Sequence, residues 1–273
     1  MVKILRTVLQ LGLEKPVKVL HITDTHITES DREDDQRMKE LIEMRRMTFV
    51  EEGNYAPLKP QEYLEEAFAL AQKEGALPIL TGDIQDLNSS GNRKELHKVL
   101  DGRDFLYTTG THEFQRSSCT PRCCPLEEPE GYYETTRQSL MREFSPWARW
   151  DFDNRVIGGI NLITVDDSQG YFTEVTFEKL KKEAEKELPI ILFMHVPVTC
   201  STLLRGPYKE SCLTEEAFQI SLEALEYIRT NPLIKASFGG HLHCEREEVL
   251  DSGHISYVTP GTYAGICRMI EIR

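Results

Sequence analysis

Short apolar runs alternate with charged stretches of helical period along most of the chain. Residues 17–22, 77–80, 105–108, 160–165, 190–194 and 236–238 read as strands, most of them apolar enough to be buried on both faces. Between them, Leu64, Ala67, Phe68 and Ala71 form one stripe at helical spacing, with Pro60 ahead of it and Gly75 behind. Phe177, Leu180 and Ala184 form a second stripe, and Phe218, Leu222 and Leu225 a third. The first sixteen residues read as a further strand. The stretch from 249 to 272 reads as short strands broken at 251–253 and at Pro260 and Gly261. Strand and helix in alternation predict an α/β protein around a largely buried, parallel or mixed sheet.

Two segments are less regular. Residues 29–46 hold twelve charged residues in eighteen, with Met38, Leu41, Ile42 and Phe49 at helical spacing. That pattern suits either a solvated helix or a lid over a site. Residues 116–131 contain Cys119, Cys123, Cys124 and three prolines and read as a surface-loop insertion. The cysteines lack the paired spacing of a zinc finger, so incidental loop thiols are preferred to a structural metal.

With 273 residues, one large domain or two small ones fit equally well, and no repeat, linker or shift in composition marks a boundary. The net charge of −13 argues against binding a nucleic-acid backbone, which needs many Lys and Arg contacts, and against an anionic membrane surface. It leaves room for a small anionic substrate held by a local positive charge such as a metal. No apolar run approaches the ~20 residues needed to span a bilayer. The N-terminus has no signal-peptide cleavage pattern. Seven cysteines, an odd number scattered through a long chain, fit reduced thiols and a cytoplasmic location.

Chemistry concentrates where the strands end. Asp24 and His26 follow the first apolar run, and an extended chain there would point both side chains the same way. Gly82 and Asp83 follow the next; Gly110, Thr111, His112 and Glu113 follow the third. His195 closes the run at 190–194, and His241 and His243 follow Gly239 and Gly240. In open α/β sheets ligands bind outside the carboxyl ends of strands, so these side chains would converge. Two carboxylates with four or five imidazoles suit Mn, Fe, Co, Ni or Zn and are too rich in nitrogen for Mg or Ca. Six or more ligands exceed one tetrahedral shell, which points to two ions, and a carboxylate can bridge them.

In this order, Asp24-x-His26, Gly82-Asp83, Gly110-Thr111-His112-Glu113, His195 and Gly240-His241-x-His243 resemble the calcineurin-like metallophosphoesterase family over residues 17–243. The resemblance implies a single domain built as a four-layer α/β/β/α sandwich with two mixed sheets. It implies a dimetal site of Mn, Fe or Zn ions at the strand ends, on which a metal-bound hydroxide attacks a small phosphorylated substrate. It puts Asp24, His26, Asp83 and His243 on the first metal, makes Asp83 the bridge, and gives His195 and His241 to the second. One position departs from the family pattern: Thr111 stands where an Asn ordinarily binds the second metal. Either a water takes its place or the second ion is held weakly. His112 and Thr111 would face the substrate. His112, as an imidazolium, would stabilise charge on phosphorus or protonate the leaving oxygen, oriented by Glu113 or another carboxylate.

The remaining candidates carry less. Asp86 is read either as a hydrogen-bond partner of a liganding histidine or as a cap or turn residue. Asp166 and Asp167 are read as turn residues, His21 as a satisfied strand residue, His97 as solvated and His254 as part of a turn. Arg116, Arg205 and Tyr208 are loop residues that either face substrate or are solvated. The expected function is hydrolysis of a phosphodiester or phosphomonoester. A metal-dependent amidohydrolase and a catalytically weakened binding scaffold are the alternatives. The acidic charge counts against a nuclease.

Overall fold

The strands are apolar on both faces because two different cores need them. A computed structural model describes residues 2–51, 59–114, 151–168, 170–198, 215–250 and 253–273. Strand β2 (Val17–Ile22) shows the principle: Leu20 and Ile22 pack towards helices, while Val17 and Val19 face a second sheet. Successive side chains on a strand point to opposite faces, so one unbroken apolar run supplies both layers. The same split occurs in β7 (Ile190–Phe193), with Ile190 and Leu192 on the helix side and Ile191 and Phe193 on the sheet side.

The first sheet has the order β1-β11-β2-β3-β4, formed by Lys3–Leu9, Ile266–Ile272, Val17–Ile22, Leu77–Thr81 and Leu106–Thr108. Strands β2, β3 and β4 run parallel, and β11 is antiparallel to β2. The second sheet has the order β5-β6-β7-β8-β10-β9, formed by Phe152–Ile157, Ile160–Val165, Ile190–Phe193, Ile234–Gly239, Ile255–Val258 and Arg246–Val249. Its four central strands are parallel, and β5 and β9 are antiparallel edges.

Helices α2 (Pro60–Glu74) and α3 (Ser90–Leu100) cover the first sheet through Leu64, Ala67, Phe68, Ala71, Leu96 and Val99. Helices α4 (Glu174–Ala184) and α5 (Glu215–Thr230) cover the second through Phe177, Leu180, Ala224, Leu225 and Ile228. The four layers are therefore α/β/β/α, with two mixed sheets, as the motif resemblance implies. Local signals set the helix bounds. Pro60 opens α2, and Glu62 reaches back to the Lys59 N–H at 2.7 Å. Ser89 and Thr173 cap α3 and α4, accepting from Asn92 N–H at 2.9 Å and Thr176 N–H at 3.1 Å.

Helix α1 (Gln36–Glu51) buries Met38, Ile42 and Phe49 while Met44 and Met47 stay exposed. Its polar outer face suits a solvated helix, but its inner face lies on the site described below. Among the described residues no helix is long and apolar enough to cross a membrane. The loop at 116–131, with Cys119, Cys123 and Cys124, lies outside the described residues, as do Arg116, Arg205 and Tyr208.

Between the sheets, Phe193 stacks on Phe238 at 5.4 Å and Phe238 on Tyr257 at 4.8 Å. Phe193→Ala is expected to destabilise the fold by about 3–5 kcal/mol in denaturant unfolding, because the stacked ring leaves a cavity its neighbours cannot close. A loss below ~1 kcal/mol would show that the two sheets do not depend on this stack.

Candidate metal centre

Every donor-bearing motif sits just past the carboxyl end of a parallel strand: β2, β3 and β4 in one sheet, β7 and β8 in the other. The facing sheets thus bring five chain segments to one edge. The strands do not simply extend into the site. Asp24, His26, Asp83, His241 and His243 all have left-handed backbones, with φ of 49°, 50°, 50°, 62° and 50°. The chain is therefore not extended at Asp24-x-His26, and the two side chains converge through successive tight turns. Such conformations cost roughly 1–3 kcal/mol each and persist where surrounding structure holds them. Here the holding groups are visible. Asp24 N–H donates to Gly82 O at 2.9 Å, His26 N–H to Asp83 O at 2.9 Å, and His241 N–H to Asp24 Oδ2 at 3.0 Å. A Cβ on Gly240 would overlap Asp24 Oδ2 and Thr23 Oγ1, and one on Gly110 would overlap Asp83 Oδ1.

Two donor groups result. Ligand atoms of Asp24, His26 and His243 lie within 4.8 Å of one another, and so do those of Asp83, His195 and His241. In the first, His243 Nε2 stands 3.1 Å from Asp24 Oδ1 and 3.1 Å from His26 Nε2. In the second, His241 Nδ1 stands 3.2 Å from His195 Nε2, which is 3.3 Å from Asp83 Oδ2. Asp83 Oδ2 also faces His26 Nε2 at 3.9 Å, so this carboxylate lies between the groups. Ring-nitrogen lone pairs facing each other at such distances repel unless a proton or a cation lies between them. Nitrogen-rich and carboxylate-lined, with only His243 and His241 reaching solvent, both groups fit borderline transition-metal ions. Thr111 is half-buried between Gly110, whose N–H donates to Glu113 at 2.9 Å, and His112, whose N–H donates to Asp83 Oδ1 at 2.8 Å.

The electrostatics follow from burial and crowding. Burial alone would raise Asp24, but the His243 hydrogen bond and the His195 charge bring it to about 2. Asp83 is likewise held well below the usual carboxylate range against its burial, by the charges of His195 and His112. Burial would depress His195, yet the Asp83 charge and hydrogen bond raise it well above an ordinary imidazole. His241, with desolvation dominant, falls to about 4.

A third group, His26, Asp86 and His112, also lies within 4.8 Å. Its carboxylate is already matched: Arg45 of α1 donates to Asp86 Oδ2 through Nε at 2.7 Å and to Oδ1 through Nη2 at 2.9 Å. Asp86 also receives His26 Nδ1 at 3.0 Å and stands 3.2 Å from His112 Nδ1, whose ring nitrogen contacts the Asp86 carbonyl at 2.8 Å. Asp86 is thus the carboxylate beside His112, and Ser89, not Asp86, caps the following helix. Burial would lower His112, but the Asp83 charge and the Asp86 hydrogen bond raise it to about 9. Glu113 instead ties the backbone together, accepting from the N–H groups of Asp83 at 3.0 Å and Ile84 at 2.8 Å and from Tyr107 Oη at 3.0 Å.

Four supporting residues were not given these roles by the sequence. Arg45 was one charge among many on a charged helix. Phe49, on the same face, packs against His26 with ring centroids 5.3 Å apart. Asp167 accepts from the N–H groups of His195 at 2.9 Å and Val196 at 3.1 Å, so it shapes the turn that presents His195 and is more than a turn residue. Its place just past β6 was the available signal. Tyr263 had none. His21 is a satisfied strand residue between Thr259 Oγ1 at 2.9 Å and Thr81 Oγ1 at 2.7 Å. His254 is buried against Ser237 Oγ at 2.8 Å, and His97 is half-buried on α3 with Nδ1 3.7 Å from Asp101 Oδ1.

Because a Cβ at position 240 has nowhere to go but into Asp24, Gly240→Ala is expected to cut the metal retained after dialysis while circular dichroism shows a folded protein. Metal content equal to wild type would show that the turn around Asp24 does not need this glycine.

A family model for the calcineurin-like phosphoesterases matches residues 17–245. Among solved structures, this chain is similar to a dimetal phosphatase from Danio rerio, with TM-score 0.51, 15% identity, and 91% of this chain and 88% of that one covered. It also aligns with an NAD nucleotidase from Haemophilus influenzae, with TM-score 0.47, 12% identity, and 92% of this chain against 51% of that one. A phosphopantetheinyl hydrolase from Mycobacterium tuberculosis aligns with TM-score 0.42, 14% identity, and 90% of each chain. The comparison with curated proteins gives no match. The family match runs from β2 past His243 and so takes in every strand end that bears a donor. On that match the chain belongs to the calcineurin-like phosphoesterases and is a hydrolase of phosphate-ester bonds.

Proposed function

We propose that this chain hydrolyses a phosphodiester or phosphomonoester of a small molecule, with Asp24, His26, Asp83 and His243 holding one transition-metal ion and Asp83, His195 and His241 a second. The observation that carries this reading is the pair of converging donor groups with Asp83 between them. Mn, Fe and Zn suit the donors. The chemistry two such ions would supply there is a clamp on phosphate oxygens and a water that ionises near neutral pH.

The chain's own groups do the rest. Asp86 and its carbonyl hold the Nδ1 side of His112 and leave Nε2 turned towards Asp83 Oδ2 at 3.9 Å. Partly exposed, with Asp86 beside its Nδ1 at 3.2 Å, His112 would donate a hydrogen bond to the phosphoryl group or a proton to the leaving oxygen. Arg45 balances the Asp86 charge, so that carboxylate does not draw the proton away. Glu113 serves His112 indirectly, by fixing the Gly110 turn that carries it. Thr111 lies beside the substrate, and its short hydroxyl leaves the second ion the more weakly held. The odd cysteine count, with Cys244 and Cys267 free, supports a cytoplasmic location.

The test is turnover of bis- and mono-(p-nitrophenyl) phosphate after loading with Mn²⁺. Diester-only turnover supports a phosphodiesterase, and monoester turnover supports a phosphatase. No turnover of either with metal bound would favour a binding scaffold and overturn the proposal. His112→Ala is expected to keep its metal and lose about 10²-fold or more in turnover; unchanged turnover would remove His112 from the mechanism. Thr111→Asn is expected to retain more metal than wild type, and full, equal occupancy in both would contradict a weak second site.

A further inference from the structure

Each histidine that turns Nε2 into the donor groups has an oxygen on its other nitrogen. His26 Nδ1 faces Asp86 Oδ1 at 3.0 Å, and His195 Nδ1 faces the Thr81 carbonyl at 2.8 Å. For His243 the oxygen is the hydroxyl of Tyr263, 3.2 Å from Nδ1, while Nε2 faces Asp24 and His26. Tyr263 sits in the turn Thr262–Ala264 between β10 and β11, beyond the residues 17–245 that match the family.

The turn is anchored to the first donor group by its backbone. Thr262 N–H donates to Thr23 O at 2.8 Å and Tyr263 N–H to Asp24 O at 3.1 Å. The phenol ring packs on His243 with centroids 5.1 Å apart, on Phe49 of α1 at 5.1 Å and on His26 at 5.6 Å. His243 needs such a hold more than its neighbours do. Its side chain is 33% exposed, whereas those of His26 and His195 are 0% exposed, so packing alone restrains it least.

A ring nitrogen that takes a cation must be bare, which puts the imidazole proton on the other nitrogen. We propose that Tyr263 is a positioning residue whose phenol oxygen accepts the Nδ1–H of His243, fixing its tautomer and rotation so that Nε2 is presented to the first ion. Partners of this kind tune a ligand's basicity and orientation, and losing one typically costs 10–100-fold in metal affinity. The inference rests on the proposed assignment of His243 as a ligand.

The test is a Zn²⁺ titration of the metal-free protein against a chromogenic chelator, for wild type, Tyr263→Phe and Tyr263→Leu, with the unfolding midpoint of each metal-free protein alongside. Tyr263→Phe keeps the ring and removes the acceptor. It is expected to weaken one of two sites by about 10–100-fold, leave the other unchanged and leave the metal-free midpoint unchanged. Tyr263→Leu is expected to lower the midpoint without weakening that site further. Wild-type affinity at both sites in Tyr263→Phe would overturn the proposal while leaving the dimetal reading intact. Equal loss at both sites with a lowered midpoint would overturn it in favour of simple packing. A wild-type protein that takes up fewer than two ions would overturn the dimetal reading, and this inference with it.

Discussion

Carboxylates and imidazoles cannot be buried face to face without positive charge among them, and this constraint governs the centre of the molecule. Asp24, Asp83 and Asp86 are all fully or nearly buried, and ring nitrogens of His26 and His243, and of His195 and His241, face each other at about 3 Å. Without metal the balance falls to protons: His195 is raised by the carboxylates that surround it. A cation replacing such protons gains affinity because the fold already bears the cost of gathering its ligands. The protein's net charge of −13 does not oppose an anionic substrate if the local charge at this edge is reversed.

The two sheets are what make the gathering possible. Each sheet alone would bring only part of the set to its carboxyl edge. Packing them face to face across Val19, Ile79, Phe193 and Phe238 sets the ends of β2, β3 and β4 opposite those of β7 and β8. Past those ends the chain turns sharply at residues that are not glycine. Glycines at 82, 110 and 240 supply the close approaches that let the strained turns interlock. Glu113 and Asp167, each taking backbone N–H groups from two neighbouring positions, hold those turns in register.

Much of this was legible in the sequence. Apolar runs such as 17–22 and 160–165 read directly as doubly buried strands because period two and an uninterrupted apolar run carry that information locally. The donors were legible for a related reason: they fall immediately after those runs, so their meeting point follows from strand polarity. Their backbone conformation was not, because an extended continuation and a left-handed turn leave the same residues two apart. Arg45, Phe49 and Tyr263 were not legible either. They reach the site from a charged helix and a C-terminal turn, and only the tertiary packing of α1 and of residues 262–264 against His26 and His243 gives them a role.

The central claim is that two cations share this edge with Asp83 between them, and anomalous diffraction from crystals grown with Mn²⁺ or Zn²⁺ tests it most directly. The account predicts two peaks, one bounded by Asp24, His26 and His243, the other by His195 and His241, with the Asp83 carboxylate touching both. A single peak, or peaks only at surface carboxylates away from these side chains, would contradict it.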